Sequence, residues 1–165
     1  YSVNWLTRRI GAPSSLAEGD LHNFIGSQLK AHSVSGAHLV LQLPESKIYT
    51  HLRALQAFQK IVASFGCRIC LEQFGTSLNS FQMLGHFDPA LLKIDRSFIV
   101  DLAKNTENQK KVREFVAEAR KLNKRTVAEF VSDASSMTIL FSIGVDLVQG
   151  NFLAPAGPAM NYDFN

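Results

Sequence analysis

The sequence has no run of apolar residues approaching the roughly 20 that a membrane-spanning helix needs, and no amino-terminal secretory signal. Cysteine is scarce. Cys67 and Cys70 are the only two in 165 residues, which leaves nothing from which to build a disulfide framework. They lie three positions apart on an expected strand, so they point to opposite faces and do not pair with each other. A redox role is the weaker alternative, since no helix amino terminus follows directly to activate a thiol. Two reduced, buried cysteines of a cytosolic protein is the better reading. The histidines, His22, His32, His38, His51 and His86, are dispersed and show no paired metal spacing. An excess of one charge is lacking too: 17 basic and 14 acidic residues leave +3, and the basic residues are scattered rather than striped, so no nucleic-acid footprint is present. Lys104, Lys110, Lys111 and Arg113 do cluster, but beside Glu107, Glu114 and Glu118 they read as a solvated helix face. Low-complexity segments and internal repeats are absent as well.

What is present is an ordinary globular composition, 46% apolar and 19% charged, long enough for one domain with a sizeable core. The chain starts at Tyr1 rather than Met, which suggests an excised domain or a fragment. Short apolar runs alternate with amphipathic stretches. Strands are expected over 2–6, 38–43, 67–71, 91–94, 125–128 and 145–148. Helices are expected over 16–31, 47–65, 79–84, 107–122 and 133–141. Gly66 and Gly144 are placed to end helices and Asp133 to cap one. Alternating strands and helices predict a parallel α/β arrangement. Polar residues follow several strands: Asn4, Gln42, Gln73, Asp95, Glu129 and Gln149. In a (β/α)8 barrel that end is the active face. Such a barrel takes about 250 residues, so the chain is short by roughly two βα units.

Six ordered segments carry a resemblance. Leu92-Lys93-Ile94-Asp95-Arg96-Ser97-Phe98 resembles the LKIDRSF segment of EAL-type cyclic di-GMP phosphodiesterases, and Val145-Asp146-Leu147-Val148-Gln149-Gly150 resembles their DxxQGY segment. Val127-Ala128-Glu129 is similar to the start of VAEGVE. Leu71-Glu72-Gln73-Phe74-Gly75-Thr76 stands where that family has DDFGTG, Leu39 to Ser46 where it has LELTES, and Val3-Asn4-Trp5-Leu6 where it has VNLS. The resemblance implies the C-terminal two-thirds of a modified TIM-like (β/α)8 barrel of EAL type, a partial domain over 1–165 whose EAL triplet lies upstream. The pattern around Glu72 to Gly75 and Ala128 to Val131, with the tail Pro158 to Phe164, resembles the FimX-type branch of the family, regulators of type IV pilus assembly and twitching motility.

The family's chemistry is metal-assisted phosphodiester hydrolysis, in which paired divalent ions clamp attacking and leaving oxygens and hard cations demand oxygen ligands. Here Gln42 and Gln73 replace two of the metal-site carboxylates, Glu72 replaces an Asp, and Ser132 replaces a Glu. Asn4, Lys93 and Glu129 remain as vestiges. Amides do not neutralise a dication, so no metal, no cofactor and no catalytic residue are expected. The alternative is an active phosphodiesterase with an atypical metal site. Cyclic di-GMP is implied as the ligand of a receptor, contacted by Gln73, Asp95, Glu129, Phe130, Gln149, Phe152 and Pro155. Asp95 and Glu129 are expected to serve the ligand and not the fold. Lys93 either binds phosphate or makes an ion pair in the barrel mouth. Phe130 replaces a family glycine. Its ring either stacks on a guanine, a contact worth about 1–3 kcal/mol in single-strand binders, or packs under the loop. The implied partners are a PilZ-domain protein, the pilus assembly ATPase and a second copy of the chain, with no nucleic acid and no membrane span, in the cytoplasm.

Overall fold

The apolar runs become parallel strands and the amphipathic stretches the helices that connect them. A computed structural model describes residues 6–9 and 20–153. They form two compact units, one within 5–93 and one from Ile94 onward.

The first unit comprises β1 (Leu6–Arg9), α1 (Asp20–Ala31), β2 (Leu39–Pro44), α2 (Glu45–Ser64), β3 (Arg68–Phe74), α3 (Ser80–Met83) and β4 (Leu91–Ile94) as far as Lys93. Its strands lie side by side in chain order. β2 runs parallel to β1, with Gln42 beside Arg9, and parallel to β3, with Gln42 beside Cys70 and Pro44 beside Glu72. β2 is buried from Val40 to Pro44 and β4 throughout. Parallel strands covered on both faces lose the polar alternation of a half-solvated sheet, which is why these segments read as continuous apolar runs. α2 turns Ile48, Leu55, Phe58 and Val62 into the core. Its end needs a left-handed residue, and Gly66 supplies it at φ +82°. The amide of Cys67 then returns to Val62 O at 3.0 Å. Gly36 packs so closely on this helix end that a Cβ would lie 1.9 Å from Phe65 O.

The second unit comprises α4 (Arg96–Ile99), α5 (Thr106–Lys121), β5 (Arg125–Ala128), α6 (Ala134–Ile143) and β6 (Leu147–Val148). Ile94, Leu102, Val112, Val116, Ala128 and Leu140 form the centre of its core. The helix signals read from the sequence act as expected. Asp133 accepts from the backbone N–H and hydroxyl of Ser136, each at 2.8 Å. Those hydrogen bonds hold its carboxyl below the usual range. Gly144 closes α6 at φ +86°.

Differences from expectation are local. Residues 1–5 and 16–19 lie outside the described residues, and the described first strand begins at Leu6. β3 runs on to Phe74, because Glu72 and Phe74 still bury while Gln73 faces out. Helix α2 starts at Glu45, two residues early. α4 was not expected; Asp95 creates it by accepting from the Ser97 amide at 2.9 Å.

β5 and β6 pair in parallel through only two residue pairs, too short a ladder to fix their register alone. A side-chain clasp reinforces it. Asp146 Oδ2 accepts from the backbone N–H of Thr126 at 2.7 Å and from its hydroxyl at 2.8 Å. Thr126→Val keeps the shape and loses the hydroxyl donor. Hydrogen bonds to charged groups are worth about 1.5–3 kcal/mol. Urea denaturation should show a lower midpoint with an unchanged slope, and Thr126→Ser should recover most of the loss.

Candidate functional site

In the first unit the polar residues of interest stand on three successive strands. Gln42 on β2, Glu72 on β3 and Lys93 on β4 are 9%, 7% and 5% exposed. Buried charges persist only when paired and hydrogen-bonded. The Gln42 amide supplies that connection. In the orientation that satisfies both neighbours, its nitrogen donates to Glu72 Oε1 at 3.1 Å and its oxygen accepts from Lys93 Nζ at 3.1 Å. An acid, an amide and an ammonium thus form one buried chain, with the neutral group in the middle.

Just beyond β3 the backbone turns sharply. Gln73 is exposed and holds φ +57°, and Gly75 holds φ +96°. The Thr76 hydroxyl donates to Gln73 O at 3.0 Å. The Gly75 amide donates to Glu45 Oε2 at 3.1 Å. Glu45 is fully buried at the start of α2, and burial pushes its carboxyl above the usual range. It is a functional-site neighbour that the sequence reading passed over. The signal available was its place three residues after Gln42, where a strand hands over to a helix.

In the second unit a cavity of about 230 Å³ is lined by Glu129, Phe130, Val131, Ser132, Gln149, Gly150 and Asn151. Backbone hydrogen bonds hold its two walls. The Gln149 amide donates to Ala128 O at 2.8 Å, Val131 to Gln149 O at 3.1 Å and Phe152 to Val131 O at 3.2 Å. Gly150 sits where a Cβ would lie 2.2 Å from Val131 O, so only glycine permits this closeness. Glu129, Phe130, Gln149 and Phe152 are therefore gathered by one stretch of paired backbone.

Phe130 is not packing under the loop. It is 49% exposed and its backbone holds φ +62°, a left-handed conformation that costs a non-glycine residue about 1 kcal/mol or more. The Arg96 guanidinium lies 4.9 Å from the ring centroid. Sequence reasoning missed Arg96, because nothing local ties it to Phe130. The expectation that Asp95 does not serve the fold requires a correction: its side chain caps α4. Asn4 and Pro155 lie outside the described residues.

Residues 6–156 match the EAL domain family. The chain is similar to the FimX EAL domain of Xanthomonas citri, solved in complex with c-diGMP, at 48% identity and TM-score 0.93, covering 98% of this chain and 64% of that one. It is also similar to the FimX EAL domain from Pseudomonas aeruginosa bound to c-di-GMP, at 32% identity and TM-score 0.90, covering 98% and 66%. The bifunctional diguanylate cyclase/cyclic di-GMP phosphodiesterase MucR of Pseudomonas aeruginosa is 31% identical over 143 residues, 87% of this chain and 21% of that protein. The chain spans about a fifth of the length of the curated relatives it matches. The fold is thus α/β with parallel strands, a part of a TIM-like domain of EAL type.

Glu45 gives the site a pH dependence of defined sign. Its folded-state pKa lies above the ordinary 4.5. Between those two values the folded chain binds the proton more readily than the unfolded chain, so stability falls as pH rises through that window. The difference in unfolding free energy between the parent and Glu45→Gln, taken from urea curves at a series of pH values, should shift against the parent as pH rises. A difference that stays flat would place the Glu45 carboxyl in an ordinary solvated setting.

Proposed function

The chain belongs to the EAL domain family, and on that premise we propose that it is a catalytically inactive receptor for cyclic di-GMP. It passes the signal through protein partners to type IV pilus assembly and twitching motility, in the cytoplasm. The observation that carries this reading is the buried chain Glu72–Gln42–Lys93. Metal-assisted hydrolysis in this family needs carboxylates gathered around divalent cations, which clamp the attacking and leaving oxygens. The donor set here does not fit that group. One carboxylate, Glu72, is tied through the Gln42 amide, and the amide oxygen accepts from an ammonium, Lys93, at 3.1 Å. An amide adds no charge to offset a dication. The Lys93 ammonium disfavours a second cation at close range, by roughly 4 kcal/mol per unit charge at 4 Å in a medium of effective dielectric 20. Gln73, at the second position the family gives to Asp, is neutral and faces solvent.

Binding without metal shifts the burden to the bases. We assign Gln73, Asp95, Glu129, Phe130, Gln149, Phe152 and Pro155 as the ligand contacts. Glu129 offers an acceptor for the N–H edge of guanine, and the half-exposed Phe130 ring beside it offers a stacking face. Gln149 stands on the same cavity wall, with hydrogen-bonding groups on a side chain of fixed backbone position. The likeness to FimX EAL domains solved with this dinucleotide supports the same ligand here. The remaining assignments rest on the sequence resemblance to the FimX-type branch: a PilZ-domain protein and the pilus assembly ATPase as partners, and a second copy of the chain. Among the described residues no helix is long and apolar enough to cross a membrane.

Two measurements on the whole protein test the reading. Incubation with cyclic di-GMP and Mg²⁺ or Mn²⁺ should yield no linear dinucleotide, and calorimetric binding should survive EDTA. Turnover in the ordinary enzymatic range of about 1–10³ s⁻¹ would overturn it. Phe130→Gly should raise Kd by about ten- to a hundredfold, the worth of one base–aromatic stack, while Phe130→Tyr should bind nearly as the parent does.

A further inference from the structure

Phe130 stands in an unusual position. Its backbone is left-handed, half of its surface meets solvent, and the core cluster of its own unit does not include it. A phenyl ring so placed gains little from burial and has two torsions to explore. Ordering a side chain on ligand binding costs affinity, so an exposed ring makes a good stacking surface only if something already holds its plane.

Arg96 meets that need. Its guanidinium lies 4.9 Å from the centroid of the Phe130 ring, within the range of an attractive cation–π contact. The backbone under Arg96 is itself fixed. Asp95 caps α4 through the Ser97 amide at 2.9 Å, and the Asn108 side chain donates to Ser97 O at 2.8 Å, tying that turn to α5. On the ring's side, the paired backbone of 128–131 and 149–152 fixes the Phe130 Cα. Both ends of the contact are therefore anchored by hydrogen bonds, and only the two side chains are left to order each other.

We propose that Arg96 is a positioning residue for purine binding: its guanidinium covers one face of the Phe130 ring, fixes the ring plane, and leaves the other face to stack on a guanine of the ligand. The bound arrangement has three layers, guanidinium, phenyl and purine. The planar, weakly hydrated guanidinium suits this role better than a lysine ammonium, which is a strongly hydrated point charge. The proposal rests on the receptor reading above for its ligand, but the Arg96–Phe130 contact itself belongs to the free protein.

The test is a double-mutant cycle on the whole protein, read by calorimetry with cyclic di-GMP, using Arg96→Ala, Phe130→Leu and the double variant. Arg96→Ala should raise Kd by about two- to fivefold, the range of an exposed cation–π contact. In the Phe130→Leu background the same change should have no further effect, and Arg96→Lys should fall between parent and alanine. Additive losses would overturn the proposal and assign Arg96 to the ligand phosphates instead. A second measurement needs no ligand. In arginine side-chain NMR spectra of the free protein, the Arg96 Nε–H resonance should carry a ring-current shift that disappears in Phe130→Leu. If the parent fails to bind cyclic di-GMP while that shift is present, the receptor reading falls and the contact stands. If the shift is absent, the positioning role falls whatever the affinity.

Discussion

The polar interior of the first unit depends on how Lys93 is accommodated. Its ammonium is buried on a strand whose other positions are apolar. Taking an isolated charge out of water costs several kcal/mol even after relaxation, so the strand tolerates it only with partners in place. Gln42 supplies one, and by donating its other end to Glu72 it draws the acid into the same network. The three residues sit on adjacent parallel strands, so the network also ties β2, β3 and β4 together at the end from which the functional loops leave. A carboxylate at position 42 would instead place two acids side by side and call for a cation between them. The amide makes the strand ends self-sufficient.

The two units solve the problem of holding a site by different means. In the first, buried side chains bridge neighbouring strands, and a buried acid, Glu45, holds the Gly75 amide of the loop after β3. In the second, backbone does the holding. The segments 128–131 and 149–152 are paired amide to carbonyl, and Gly150 allows them to touch. The side chains of Glu129, Phe130 and Gln149 thus stand on a backbone whose position is fixed independently of them, and all three line the same cavity.

Much of this was legible in the sequence because its causes are local. β4 and β5 follow from four-residue apolar or mixed runs with the expected bounds, and the ends of α6 follow from Asp133 and Gly144. The candidate site was legible where a motif position carries its own chemistry, as with Gln42, Glu72 and Lys93. The rest was hidden for physical reasons. Glu45 looks like an ordinary first-turn acid, and its burial is set by the loop folding back onto it. Asp95 has two plausible duties, and only the turn it initiates reveals the capping one. The Arg96–Phe130 contact joins separate elements and leaves no trace in the periodicity of either.

The left-handed backbone at Phe130 has a consequence for how this surface responds to selection. A glycine there would relax the main chain, against the unfolded-chain entropy that glycine adds and the loss of the Arg96 contact. A screen that rewards folding alone therefore meets only small, opposed terms at position 130, which stands apart from the core cluster. On the receptor reading, a screen that rewards binding sees the ring itself, so selection for folding and selection for ligand separate at this one position.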